Sequence, residues 1–240
     1  MTALATKCPD CRAVIRLDLP EGEGIGVRFA RAMARTAVCD ECGDRQEMAE
    51  AEAERLRRSA AFRDASQLPQ PYRGIGLGDL TERQGQGKAF EALRQWAGTR
   101  RPGTLVLTGD AGRGKTALAG AALWTRTEQF SCRYASVARA MAALGGSYSD
   151  EGRAEAVRVF AGNGAIVLDD LDKCRTSDFG KAQLFAAVDG RQQAGAALLV
   201  TTNLKPRQIG ELFGEPLMSR LAAGTNCRVV AVGGPDWRVS

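Results

Sequence analysis

A chain of 240 residues is long enough to bury a sizeable core, as one large domain or as one domain with a small appendage. Its composition, 44% hydrophobic and 25% charged, is ordinary for a globular protein, and no apolar run approaches the roughly 20 residues of a membrane span, so no membrane association is expected. The formal charge of +5 is unevenly placed: residues 1–66 carry 11 Lys and Arg against 12 Asp and Glu, and residues 67–240 carry 22 against 16, a surplus that fits a phosphate-backbone partner and an ordinary solvated face nearly equally.

The opening MTALATKCPDC has no apolar signal-peptide core, so a cytoplasmic protein is expected, and there seven cysteines suggest metal before disulfides. Cys8-Pro-Asp-Cys11 and Cys39-Asp-Glu-Cys42 are two CxxC pairs separated by residues 12–38. Four thiolates from two such knuckles make a closed tetrahedral site, the structural zinc pattern. A redox pair, which needs a thioredoxin-like setting, and unligated cysteines are the alternatives. Between the pairs, VIRLDL alternates like a strand and EGEGIG reads as a Gly-rich turn. A module this small lacks a core of its own, so metal supplies much of its folding energy. Cys132, Cys174 and Cys227 have no ligand spacing and read as plain residues at or near strands.

Residues 44–66 are charged, Ala-rich and free of Gly and Pro, which predicts a helix. QLPQPYRGIGLGDL then breaks it and reads as a linker. The expected organisation is a zinc module over 1–43, a linking helix over 44–68 and the main domain over 69–240. From about residue 85 the pattern alternates: KAFEALRQWAG as helix, TLVLTG as strand, KTALAGAALWTRTEQF as buried helix, and SCRYAS as strand. GAIVLDD, a helix over FGKAQLFAAVDGRQQ, AALLVTTN and NCRVVAV follow. Short apolar strands alternating with helices predict an α/β fold, a parallel sheet covered on both faces.

Between the first of these strands and its helix lies Gly109-Asp110-Ala111-Gly112-Arg113-Gly114-Lys115-Thr116, which satisfies GxxxxGK[ST]. Its glycines let backbone N–H groups converge on phosphates at a helix N-terminus. Lys115 is expected on the β- and γ-phosphates and the Thr116 hydroxyl on Mg²⁺. Downstream, Ile166-Val-Leu-Asp169-Asp170 delivers two carboxylates from an apolar strand: Asp169 to position Mg²⁺, Asp170 to polarise the attacking water. Asn203 ends the next strand, where an amide can orient water near the γ-phosphate. Arg220, in Ser-Arg-Leu after a Pro-containing loop, fits an arginine finger acting on a neighbouring subunit's nucleotide. Asp178-Phe179-Gly180 spells a kinase motif without its partner loop and is discarded, and the NKxD of guanine-specific P-loop proteins is absent.

Taken in order, PQPYRGIGLGDL, GDAGRGKTALA, IVLDDL, VDGRQQ, VTTNL, LMSRL and GGPDWR resemble the AAA+ ATPases of the DnaC/DnaI helicase-loader type, with IstB-type transposition ATPases as near relatives. The resemblance covers residues 69–240. It implies a P-loop AAA+ core with a five-stranded parallel sheet and no C-terminal lid. It also implies ATP as the nucleotide, a sensor at Asn203, a finger at Arg220, a further trans-acting arginine at Arg191 and a late nucleotide-facing arginine at Arg238. In the loaders the N-terminal module grips the replicative helicase and the ATPase domain gathers single-stranded DNA in an ATP-dependent homo-oligomer. That is the function expected here. A transposition ATPase selecting target DNA and a non-hydrolysing ATP-binding adaptor are the alternatives. The short segment LGGSYSDEG leaves few residues for a DNA-contacting insertion.

Overall fold

In a computed structural model of the protein, residues 2–22, 25–34, 36–144, 160, 164–174, 177–222 and 226–236 are described. LGGSYSDEG and the terminal Arg238 lie largely or wholly outside them. The chain divides into two compact units, Met1–Arg57 and Arg58–Ser240.

The first unit opens with an antiparallel hairpin of β1 (Thr2–Lys7) and β2 (Val14–Leu19), with Lys7 opposite Val14. The first cysteine pair forms its turn, closed by Cys8 N–H on the Ala13 carbonyl at 2.8 Å. Helix α1 (Ile25–Ala34) begins inside the EGEGIG stretch read as a turn and takes in its last two residues, Ile25 and Gly26. Its apolar Ile25, Phe29 and Met33 recur every four residues, the spacing of one helix face, and all three are exposed. Helix α2 runs over Asp40–Ala65, beginning within the second cysteine pair, four residues ahead of the expected start.

In the second unit, α3 is Gly87–Gly98, β3 Thr104–Thr108, α4 Lys115–Arg126, β4 Cys132–Ser136, α5 Val137–Leu144 and β5 Ala165–Asp169. Then come α6 Asp178–Gln193, β6 Leu198–Thr202, α7 Pro206–Phe213, α8 Glu215–Ala222 and β7 Cys227–Ala231. The strands form one parallel sheet in the order β4-β5-β6-β3-β7. The expected α/β fold, a five-stranded AAA+ core, is the observed one.

The central strands β3, β5 and β6 are buried at every position, as continuous apolar runs demand. Their period of two divides the core. Leu105, Leu107, Val167 and Leu199 pack with Phe90, Trp96, Leu118 and Leu123 of α3 and α4. Val106, Ile166, Leu168 and Val200 pack with Leu184, Ile209, Phe213 and Leu217 of α6, α7 and α8. Each buried large side chain contributes about 1.5–3 kcal/mol of transfer free energy. Every strand ends on the same edge, so the loops after β3, β5 and β6 meet there.

The stretch read as a linker is packed. Leu68 and Leu77 are buried in the α3–α4 core, and Tyr72 lies on Gly120 of α4, where an added Cβ would come within 3.0 Å of the Tyr72 Cβ. Its prolines and glycines make turns that fit a surface; Gly76 N–H, for example, donates to Asp79 at 2.8 Å. Asp178-Phe179-Gly180 is simply the first turn of α6, capped by Ser177 accepting from Gly180 N–H.

Candidate functional site

The loop between β3 and α4 turns on Gly112 and Gly114, at φ 77° and 84°. A side chain is disfavoured at such angles, and Gly114 supplies the N-cap of α4. Lys115, almost fully buried, donates from Nζ to the carbonyls of Gly109 (2.7 Å) and Asp110 (2.8 Å) and to Oδ1 of Asn203 (2.6 Å). Arg113 pairs with the exposed Asp110 at 3.3 Å. Ala111, Gly112, Gly114, Lys115 and Thr116 line one cavity of about 610 Å³ with Asp170 and Asn203. Tyr72, Leu80 and Phe90 also line it and give it apolar surface suited to a base, beside the polar Asp79, Arg83 and Gln86.

At the end of β5 the Asp169 carboxylate is buried and engaged on both oxygens. Oδ1 accepts from the hydroxyls of Thr116 (3.1 Å) and Thr201, and Oδ2 from Tyr134 at 2.6 Å. Thr116 and Asp169, the pair expected to hold Mg²⁺, are therefore adjacent. Tyr134 carries no sequence motif; only its place on β4 beside β5 could have suggested it. Burial, followed by the hydrogen bond to Asp169, pushes its phenol pKa up.

Asp170 sits in the left-handed region (φ 59°, ψ 54°), an unfavourable backbone for a residue with a Cβ, costing on the order of 1–3 kcal/mol. Its N–H donates to Thr201 Oγ1 at 3.0 Å, and the turn sets its side chain at the cavity. Burial, then the charges of Asp169 and Asp172, raise its pKa above the usual carboxylate value. Asn203 is held from behind by Asp172, which takes its backbone N–H at 2.9 Å and its side-chain NH₂ at 2.8 Å. Two further supports come from residues to which the sequence assigns no role. Gln86 holds the Arg113 carbonyl at 2.9 Å, and the Val232–Asp236 segment brings Asp236 against Gly112, with Val232 N–H on the Thr108 carbonyl.

Two arginines fall elsewhere. Arg191, expected to act in trans on a neighbouring subunit's nucleotide, is buried, and its guanidinium donates to the carbonyls of Phe160, Gly164 and Ala197. Gly164 and Ala197 precede β5 and β6, at the edge of the sheet opposite the P-loop, so Arg191 is not brought to this chain's site and binds main chain instead. Burial lowers its pKa to about 10. Arg220 is half-exposed on α8 and ion-paired with Asp189 at 2.6 Å. Its carbonyl accepts from Gln192, whose amide also donates to Thr104 at the start of β3. Arg220 therefore lies by the edge away from its own P-loop.

In the first unit, Cys8, Cys11, Cys39 and Cys42 converge with their sulfurs within 4.8 Å of one another, and the Cys11–Cys39 pair is 3.5 Å apart. Tetrahedral Zn–S bonds of about 2.3 Å place sulfurs roughly 3.8 Å apart, so the cluster fits zinc. Backbone N–H groups of Cys11 and Cys39 lower the Cys8 pKa to about 6, while burial and the neighbouring thiols push Cys42 up to about 12. A cation among the four would relieve that crowding. Cys39→Ser is expected to abolish binding of one zinc per chain and to disorder residues 1–43 while ATP binding persists. Metal content and ATP affinity measured together check this; a metal-free wild type with an ordered N-terminal unit refutes it. Cys132 and Cys174 are buried, as expected of plain core residues.

Among the described residues no helix is long and apolar enough to cross a membrane. No curated protein matches the sequence. Among solved structures, the DnaC helicase loader aligns with a TM-score of 0.58 at 18% identity over 69% of this chain and 100% of that one. DnaI aligns with a TM-score of 0.59 at 18% identity over 74% and 99%. Replication initiator DnaA bound to AMPPCP and single-stranded DNA gives 0.59 at 16% identity over 71% of this chain and 52% of that chain. At these identities the likeness is one of fold. The sequence profile of IstB-like ATP binding protein matches residues 32–239. With a P-loop AAA+ fold, the chain belongs to the family of IstB-like ATP binding proteins.

Proposed function

We propose that the protein is an ATP-dependent loader of a replicative DNA helicase, working as a homo-oligomer in the cytoplasm with the four-cysteine unit on the helicase and the ATPase unit on single-stranded DNA. The observation that carries the reading is the division of the ATPase machinery. Lys115, Asp169, Asp170 and Asn203 stand at one edge of the sheet, while Arg220 stands by the other, where a neighbouring subunit's nucleotide is its fitting target. An ATPase completed only by its neighbour couples its chemistry to assembly. The fold likeness spans essentially the whole of the DnaC and DnaI chains, the first of them a helicase loader, and the basic surplus of residues 67–240 suits a nucleic-acid partner.

In this reading Lys115 neutralises the β- and γ-phosphates, and Thr116 and Asp169 hold Mg²⁺, which would supply charge stabilisation on the phosphoryl oxygens. Asp170 accepts a hydrogen bond from the attacking water, and Asn203 orients the site at the γ-phosphate. The match to IstB-like ATP binding protein keeps a second reading beside it, a transposition ATPase that selects target DNA.

The test is ATP-dependent transfer of the host's replicative helicase onto single-stranded circular DNA. Wild type is expected to support it. Lys115→Ala loses a charge-assisted contact worth roughly 2–3 kcal/mol, about 30- to 150-fold in ATP affinity, and is expected to fail while retaining zinc. Unchanged ATP affinity in that variant removes the phosphate assignment. ATP-dependent capture of a transposase without helicase transfer selects the second reading. Absence of DNA-stimulated turnover in the wild type leaves an adaptor.

A further inference from the structure

The acidic run after β5 carries a third carboxylate, Asp172, beyond those assigned to metal and water. It lies in the turn Leu171–Lys173 with its side chain only 9% exposed. Its oxygens are spent on the end of β6. Oδ1 accepts from Asn203 N–H at 2.9 Å and lies 3.4 Å from the Thr202 hydroxyl, and Oδ2 accepts from Asn203 Nδ2 at 2.8 Å. The Lys173 ammonium stands 3.5 Å from Oδ2.

An asparagine amide has two ends of nearly equal shape and opposite hydrogen-bonding sense, exchanged by a half-turn of its terminal torsion. An ionised carboxylate accepts only, so it takes the nitrogen end and turns the oxygen end the other way. In the structure that oxygen accepts from Lys115 Nζ at 2.6 Å. The reverse orientation would set an NH₂ group against the Lys115 ammonium, donor against donor. Burial works to raise the Asp172 pKa, but the donors from Asn203, the Asp172 backbone N–H and the Lys173 ammonium together hold it below the usual value, which keeps the carboxylate ionised near neutral pH.

We propose that Asp172 is a positioning residue that fixes the amide orientation of Asn203, so that a hydrogen-bond acceptor faces Lys115 and the phosphate site. This rests on the reading of Asn203 as the residue that orients the site at the γ-phosphate.

A double-mutant cycle tests it. Asp172→Asn keeps the shape of the side chain; its remaining oxygen stays on Asn203 N–H and its new NH₂ faces the Asn203 amide, which must turn its own oxygen away from Lys115. Expected are a fall in kcat of about tenfold or more, an ATP Kd within about threefold of wild type, and almost no further loss when the change is made in Asn203→Ala. A merely structural role would instead weaken ATP binding and add its full loss in either background. If Asn203→Ala turns over like wild type, the Asn203 reading falls and this proposal with it. If Asn203→Ala is slow but Asp172→Asn is normal, or fully additive with it, only the proposal falls. Should Asp172→Asn fail to fold, Asp172→Ala replaces it in the same cycle, with a smaller kcat loss expected and full additivity again fatal. The side-chain amide signals of Asn203 in ¹⁵N-labelled protein give a readout independent of turnover. They are expected to move to free-amide positions in Asp172→Ala, and unchanged signals overturn the proposal.

Discussion

Asp170→Asn is expected to bind ATP as tightly as the wild type and to hydrolyse it about a hundredfold more slowly, the lower end of what a positioned general base contributes. Binding survives because Lys115 and the P-loop are untouched and Asp169 keeps its contacts to Thr116, Thr201 and Tyr134. Turnover suffers because the substitution removes charge and basicity at one point on the cavity wall. Burial and the flanking Asp169 and Asp172 raise the Asp170 pKa, and a carboxylate so placed accepts a proton from water more readily than an ordinary one. An amide of the same shape has no comparable basicity. The left-handed backbone at Asp170 serves the same end, since it turns the chain straight off β5 and leaves the short side chain at the cavity. Phosphate release and ATP affinity, measured side by side, check the expectation. Wild-type turnover would make Asp170 a structural acid and assign the water to another group.

The parts of this site that the sequence reveals are those whose chemistry is local. A glycine loop between a strand and a helix, and carboxylates at a strand end, need only neighbours in the chain, so Gly109–Thr116, Asp169 and Asp170 are legible from residue order. The four cysteines are legible for a related reason: CxxC puts two sulfurs on one knuckle, whatever the rest of the module does. What escapes is set by packing across the sheet. Tyr134 reaches Asp169 only because β4 pairs beside β5, and Asp172 reaches Asn203 because the turn after β5 abuts the end of β6. The setting of Arg191 likewise depends on packing: the resemblance assigns it to a neighbouring subunit's nucleotide, and in this chain α6 buries it at the strand-starting edge on the carbonyls of Phe160 and Ala197. The segment after residue 66 misleads because its prolines and glycines mark turns without showing whether the turns are packed, and Leu68 and Leu77 decide that. Helix α1 is overlooked because its first residues, Ile25 and Gly26, belong to a glycine-rich stretch that reads as a turn, although Ile25, Phe29 and Met33 already hold the helical repeat.

Arg220→Ala is expected to bind ATP nearly normally and to lose most of its hydrolysis, on the scale of about a thousandfold that a finger contributes. The geometry makes the prediction specific to assemblies. The Arg220 backbone is tied, through Gln192, to the start of β3, whereas the P-loop follows the end of that strand, about 13 Å away at the rise of a parallel strand. The guanidinium is parked on Asp189 at 2.6 Å and half open to solvent. A pair so exposed contributes little, about 1 kcal/mol at most, so Arg220 can leave it cheaply for a phosphoryl group on an adjoining subunit. Two consequences follow from action in trans. Mixing Arg220→Ala with Lys115→Ala should restore part of the activity, because the Lys115 variant lends an intact Arg220 to a neighbour with an intact P-loop. Two inactive proteins then form some active interfaces. Wild-type turnover should also rise more steeply than in proportion to protein concentration until assembly saturates, and single-stranded DNA or helicase should lower the concentration at which it does so. Phosphate release across a concentration series, with and without the mixed variants, reads both effects. If Arg220→Ala hydrolyses ATP like the wild type under assembling conditions, or if the mixture stays inactive while each variant still assembles, then Arg220 serves the fold through Asp189 and some other group completes the site.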